Sequence, residues 1–262
     1  DALRDLRKMQ SQSEITVDEK YYSIYTPINF PITKESWKII SFSENEMMKS
    51  LRVLLASNKL VLTSKLFTVK QGIRTGNNKI FKITANEYSL LPDDEKNYFK
   101  SVIDNASISR GTINNNSFIW YPYNESGLVI NSEEELIEKV PTYYSSKLLR
   151  NKSILQERAR ISNEKWWVLS EHRAWQRIKT RKIISTEFGS SKSFAYDSSG
   201  SYMIERGNGW IAKKDFTPDD YYFYLSFFSS TFFDKLLSIY SKQLSGSNNY
   251  YDLGNKFIKD IP

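Results

Sequence analysis

The sequence has no cysteine, one histidine, 10 glycines and 7 prolines among 262 residues. Without cysteine there is no disulfide framework, no thiolate zinc site and no cysteine nucleophile, and a reducing cytoplasm is the expected location. The lone His172 excludes a metal site built on several imidazoles and reads as a structural or surface residue. Long apolar runs are also missing. The most apolar stretch, YYFYLSFFSSTFF (221–233), is too short and too rich in serine to span a bilayer, so no membrane partner is expected. The N-terminus, DALRDLRKMQ, lacks both a signal-peptide apolar core and an initiator methionine, which reads as a piece of a longer polypeptide.

Signatures of ordinary catalysis are absent too: no G-x-G-x-x-G after a strand, no Walker loop, no G-x-S-x-G and no H-E-x-x-H. PDDEK (92–96) has the acids and lysine of a metal-dependent nuclease, but in one contiguous turn, where capping a helix start asks for the same composition. No catalytic residue and no metal ligand is therefore assigned.

What is present is the composition of a folded protein, with 40% hydrophobic and 15% aromatic residues. Lys and Arg outnumber Asp and Glu 37 to 30, a formal charge of +7 that favours a polyanion such as nucleic acid as partner. Residues 1–36 are charged or proline-interrupted and read as a lead-in linker, with a domain following from 37 to 262. SENEMMKSLRVLLASNK predicts a helix with Ser43 as N-cap, Glu46 completing a capping box, Met47, Leu51, Leu54 and Leu55 on one face, and Asn58 as its close. β-type runs follow at 60–69, 79–84, 117–123 and 127–130, and return between 182 and 205. SEEELIEK (132–139) predicts a helix stopped by Pro141, and a second should start near Thr142. On that second helix Lys147, Arg150, Lys152, Arg158 and Arg160 form a basic outer side suited to phosphates. From Pro218 to about Leu244 one aromatic-rich helix is expected, buried on most of its surface. The fold class is α+β: a twisted, mainly antiparallel sheet system with flanking helices. Trp166, Trp167 and Trp175 are assigned to the core rather than to base stacking.

Four loops combine small residues with polar or basic ones: QGIRTGNNK (71–79), ISRGTINNN (108–116), ERGNGW (205–210) and LSGSNNYYD (244–252). Glycine lets a backbone N–H approach a phosphate, Arg and Lys add charge, and Arg or Asn can bond two atoms of a base edge. Each loop alone is also what a tight turn requires; together, in a basic chain, they point to DNA.

VKQGIRTGNNKIFKI resembles the Gly-Ile-x-Thr-Gly-x-Asn loop and following strand of the TaqI-like specificity domain of N6-adenine DNA methyltransferases, including fused restriction-modification enzymes. Later segments are similar in the same order: a Leu-x-x-Arg element at Leu155 to Arg158, a Trp-x-x-Leu element at Trp166, Trp167 and Leu169, and the strand and hairpin of RKIISTEFGSSKSFAYDSSGSY. Ser245-Gly246 and Tyr251-Asp252, before a final Ile261-Pro262, resemble the end of that domain, so the likeness runs from about Trp37 to the C-terminus.

The resemblance implies a target-recognition fragment that binds double-stranded DNA and presents adenine to an N-terminal methyltransferase domain of the same polypeptide. That domain would hold S-adenosylmethionine and an Asn-Pro-Pro-Tyr-type motif, neither of which belongs to this segment; WYPYN (120–124) lacks the paired prolines. The candidate DNA-contacting residues are Arg74, Thr75, Asn77, Asn78, Lys79, Arg110, Lys192, Ser193, Ser245 and Asn248. Within the opening loop Lys79 is expected on a phosphate and Arg74 or Asn77 on a base. Three other classes stay open: a fragment like a type I specificity subunit, an enzyme of unfamiliar type, and a protein–protein interaction module.

Overall fold

The computed structural model describes residues 2–9, 16–27, 40–159, 161–244 and 250–262. The chain divides into two compact units, one of residues 1–63 with 262 and one of 64–261. In the smaller unit, helix α1 (Ala2–Lys8) precedes a hairpin of β1 (Thr16–Asp18) and β2 (Ser23–Tyr25), and α2 spans Phe42–Ala56. The N-cap of α2 is Ser41, not the expected Ser43. Two overlapping Ser-x-x-Glu sequences compete here, and the outer one closes the box: the Ser41 N–H donates to Glu44 Oε2 at 2.7 Å, and Glu44 N–H donates to Ser41 Oγ. The buried face shifts with it, to Asn45, Met48 and Leu51. Asn58 does close the helix, with φ at 57°.

Eight strands build the two four-stranded sheets of the larger unit: β3 (Phe67–Gln71), β4 (Lys82–Thr84), β5 (Phe99–Ile103), β6 (Ser117–Trp120), β7 (Lys182–Thr186), β8 (Phe194–Asp197), β9 (Met203–Ile204) and β10 (Gly207–Ala212). The first sheet has the order β8-β7-β10-β3 and is antiparallel throughout. The second has the order β9-β5-β6-β4, with a parallel pairing of β9 on β5. The α+β class holds. Three expected elements change: of the β-type run at 60–69, residues 63–66 form a helical turn and the strand starts at Phe67; residues 78–81 form a helical turn before β4; and most of the 205–210 "loop" is the buried start of β10.

Aromatic residues fill the layer over the first sheet. Trp210 meets Phe228 at 4.8 Å and Phe194 at 5.3 Å between ring centroids, and Phe228 meets Phe233 at 4.9 Å. The covering helix is broken in two. After α3 (Glu133–Lys139), which Ser132 caps, come α4 (Pro218–Phe228) and α5 (Thr231–Tyr240). The break falls at Ser229-Ser230 because Ser230 caps α5, its hydroxyl accepting the Phe233 N–H. Nor is α4 mostly buried: Tyr222 and Phe223 are 56% and 66% exposed, since aromatics encircle a helix of which one face packs.

The second sheet packs on Trp120, Tyr143, Trp166 and Trp167, all buried. Their polar atoms are satisfied: Trp120 Nε1 donates to Trp167 O at 2.9 Å and Tyr143 Oη to Ile80 O at 2.8 Å. The helical stretch from Pro141 to Gln156 passes through a π-type turn at Tyr144–Leu148. Its first amides are capped by Glu95, whose carboxylate accepts from Thr142 N at 2.8 Å and Tyr143 N at 2.9 Å. The third acid of PDDEK is thus a structural cap. His172 stacks on Tyr123 with centroids 4.5 Å apart, and burial, then the neighbouring Arg177, lowers its pKa.

Candidate nucleic-acid interface

The register of the first sheet decides where its loops go. β3 ends at Gln71, which faces Asn208 near the start of β10; Gly207 faces Thr186 at the end of β7; and Ser185 faces Phe194 at the start of β8. The loop after β3, the turn before β10 and the turn between β7 and β8 therefore leave the same end of the sheet. The 110–111 turn joins them, with Arg110 N–H donating to Lys192 O and Gly111 N–H to Phe194 O. So does the C-terminal segment, since Phe188 and Gly189 pair with Asp252 and Tyr251.

The loop from Gly72 to Lys79 is held from below. Ile73 N–H donates to Ile204 O at 2.8 Å, and Arg74 and Glu171 exchange backbone bonds. The two glycines are needed for packing. A Cβ on Gly72 would lie 2.4 Å from the Ile204 carbonyl oxygen, while Gly76, at φ 81°, lies where a Cβ would meet Ser170 Oγ at 2.2 Å. Close approach of a phosphate, the reason the sequence gives for them, is not what the geometry requires of them.

Arg158 ties the loop to the rest of the unit. Its Nη1 donates to Thr75 O at 2.7 Å, Nη2 to Trp166 O at 2.5 Å and Val168 O at 2.9 Å, and Nε to Leu155 O at 2.9 Å. The guanidinium also lies 4.8 Å over the Phe81 ring. Burial pulls its pKa down to about 10, which leaves it charged at neutral pH. One side chain thus joins the Gly-Ile-x-Thr-Gly, Leu-x-x-Arg and Trp-x-x-Leu segments. The basic helix side expected at 147–160 is otherwise largely spent: Lys147 pairs with Glu87 at 2.9 Å and Lys152 with Glu133 at 2.7 Å. Arg150 is exposed, and Arg160 lies outside the described residues.

Among the loop residues expected to touch DNA, Arg74 and Lys79 are exposed and Asn77 is half-buried. Thr75 is buried and turns inward: its hydroxyl donates to Asn78 Oδ1 and accepts the Asn77 N–H, and Asn78 Nδ2 donates to Glu205 Oε1 at 2.8 Å. These side chains brace the loop. Arg74 reaches Glu187 at 3.3 Å. Across the sheet end, Arg110 and Lys192 are exposed, while Ser193 closes its own turn by accepting the Ser190 N–H. Ser245 and Asn248 lie outside the described residues. Lys79, Arg110 and Lys192 have no carboxylate partner among the described residues.

The 205–210 segment is among the four loops, but Arg206, exposed beside the buried Glu205, is not among the candidate contacts, and neither is Glu187. Arg74, Asn77, Lys79, Glu205 and Arg206 border one cleft of about 670 Å³, with Arg158 and Glu171 in its wall. The available signal was Glu-Arg set directly before Gly-Asn-Gly, which reads as a turn and is a strand entry. No group of three His, Asp or Glu side chains among the described residues could hold a metal ion, and no described helix is long and apolar enough to cross a membrane.

No protein-family model matches the chain. It is similar to the type II methyltransferase M.MjaIV of Methanocaldococcus jannaschii, at 23% identity over 215 residues that make up 78% of this chain and 68% of that protein. Its fold is similar to part of the Type IIL restriction-modification enzyme MmeI, whose structure was solved in complex with DNA. The TM-score is 0.52 at 10% identity, covering 76% of this chain and only 25% of the MmeI chain. The chain is thus related in sequence to a type II methyltransferase and shares its fold with a quarter of a restriction-modification enzyme.

Proposed function

We propose that this chain is the DNA target-recognition part of a restriction-modification methyltransferase, of the kind resembling the TaqI-like specificity domain of N6-adenine enzymes. It binds duplex DNA at the loop end of the first sheet and does no chemistry itself. The observation that carries this reading is the convergence of Arg74, Lys79, Arg110, Lys192 and Arg206 on that one end, from loops distant in sequence. Cations so placed neutralise phosphates, and side chains between them enter a groove. The sequence relation to a methyltransferase and the fold shared with part of a DNA-bound restriction-modification enzyme support it. In this arrangement residues 1–36 lead in from an N-terminal catalytic domain of the same cytoplasmic polypeptide. That domain supplies S-adenosylmethionine and the methyl transfer, and residues 37–262 select the site.

The test is duplex binding measured across salt. Affinity should fall with added salt at a log–log slope near 0.9 per phosphate neutralised. Lys79→Ala and Lys192→Ala should each weaken binding to all duplexes alike and lower the slope by about 1. Salt-independent binding, or none, would return the chain to the protein–protein class.

A further inference from the structure

Four described residues other than glycine have positive φ: Asn58, Arg110 at 47°, Arg173 at 53° and Arg206 at 55°. The left-handed region suits glycine and asparagine; arginine there carries a steric cost that glycine avoids. Asn58 ends a helix. Arg173 uses its guanidinium internally, on Gly72 O at 3.1 Å and on Gln71 and Glu171. Arg206 sits where the chain leaves β9 in the second sheet and enters β10 in the first, and its side chain is 66% exposed. The fold uses the guanidinium only at Nε, beside the buried Glu205 carboxylate, and among the described residues its two terminal nitrogens meet no partner. A strained residue with the working end of its side chain left exposed points to use outside the fold.

We propose that Arg206 is the specificity-determining residue of this face and reads the major-groove edge of a guanine; this rests on the DNA-binding reading above. Its Nε lies 3.4 Å from Glu205 Oε1, leaving both terminal nitrogens as a fork matched to guanine O6 and N7. Glu205 is fixed in turn by Asn78, and Asn78 by Thr75. The Glu205 contact restrains the side chain at Nε, and the exposed fork itself is ordered when it meets the base. Arg110 shares the strained backbone but has no carboxylate behind it among the described residues, and serves a phosphate.

The test is selection from a random duplex library by the intact chain, with Arg206→Gly, Arg206→Lys and Arg110→Gly alongside. Wild type should enrich a motif containing guanine. Arg206→Gly releases backbone strain but removes the cation beside the buried Glu205, so Tm should stay within about 4 °C of wild type, while about 5- to 150-fold discrimination at one G·C pair is lost. Arg206→Lys, which keeps the charge without the fork, should lose the same preference. Arg110→Gly should keep the motif and lower the salt slope by about 1. Placing 7-deazaguanine at that pair should reproduce the loss with wild-type protein. An unchanged motif for Arg206→Gly, or uniform weakening on all duplexes, overturns the assignment of Arg206 alone. No salt-dependent duplex binding by wild type overturns the DNA reading and this inference together.

Discussion

Replacing Arg158 by methionine, which keeps the stem and removes the guanidinium, should unfold the loop end of the first sheet before anything else. Four carbonyls, of Leu155, Thr75, Trp166 and Val168, lose a donor at once. A hydrogen bond to a charged group contributes about 1.5–3 kcal/mol, and a carbonyl left buried without a partner costs about 1–3 kcal/mol. These terms are not additive within one network, and Thr75 O retains the Ser170 N–H at 3.3 Å, so a total of about 3–5 kcal/mol is expected. The midpoint of urea unfolding at constant m-value measures it. Arg158→Lys separates charge from geometry: one ammonium cannot span four carbonyls on three segments, so it should recover less than half of the loss. Hydrogen exchange supplies a local readout, with the Ile73 and Arg74 amides losing protection ahead of those in β7. If Arg158→Met unfolds within about 1 kcal/mol of wild type, and those amides stay protected, the guanidinium is not what joins the three segments.

Gly72→Ala should destabilise by about 1–3 kcal/mol, because the added Cβ meets the Ile204 backbone oxygen at 2.4 Å and no side chain can give way; chemical denaturation measures it. Lys182 and Asp197 form a 2.6 Å ion pair with side chains 3% and 0% exposed, so Lys182→Met strands a buried carboxylate and should cost about 3–5 kcal/mol. His172 is the one histidine, so its ring resonances give its titration unmixed. Its pKa should lie below 6.5, and since the unfolded chain then takes up the proton first, stability should decline as pH falls below that value and level off beneath the folded pKa. A pH-independent Tm from 7 down to 5 would show that the histidine contributes nothing to this decline.

The fold class was readable because its signals are local. The Ser-x-x-Glu boxes, the acids of 133–135 and the period-2 apolar runs each speak for a few neighbouring residues, and α2, α3 and the strands appear close to where those signals lie. Most of the misreadings share one cause, a choice that packing or a distant partner makes; the break at Ser229-Ser230, set by a local serine cap, is an exception. Ser41 and Ser43 offer the same box, and only packing selects Asn45, Met48 and Leu51 as the inner face. Gly207 and Gly209 look like turn residues until β7 lies beside them. Thr75 and Asn78 look like ligands for DNA until Glu205 is brought up against them, and Arg158 looks like surface charge until three segments offer it their carbonyls. The exposed cations of the loop end, Arg74, Lys79, Arg110 and Lys192, were found because exposure on a turn follows from local composition.

The pairing of Gly72 and Ile73 with Ile204 and Gly207 has a consequence for how this face comes into being. Its loops are neighbours in space but lie at opposite ends of the larger unit's chain, so it is the product of non-local contacts and a high contact order. During synthesis the 72–79 segment emerges without the edge that shapes it and waits for about half of the chain to follow. A peptide cut from this stretch would carry its charge but not its shape. On the proposed function, specificity therefore cannot be transplanted as a loop; it moves only with the strands β7, β9 and β10 that hold the loop in place.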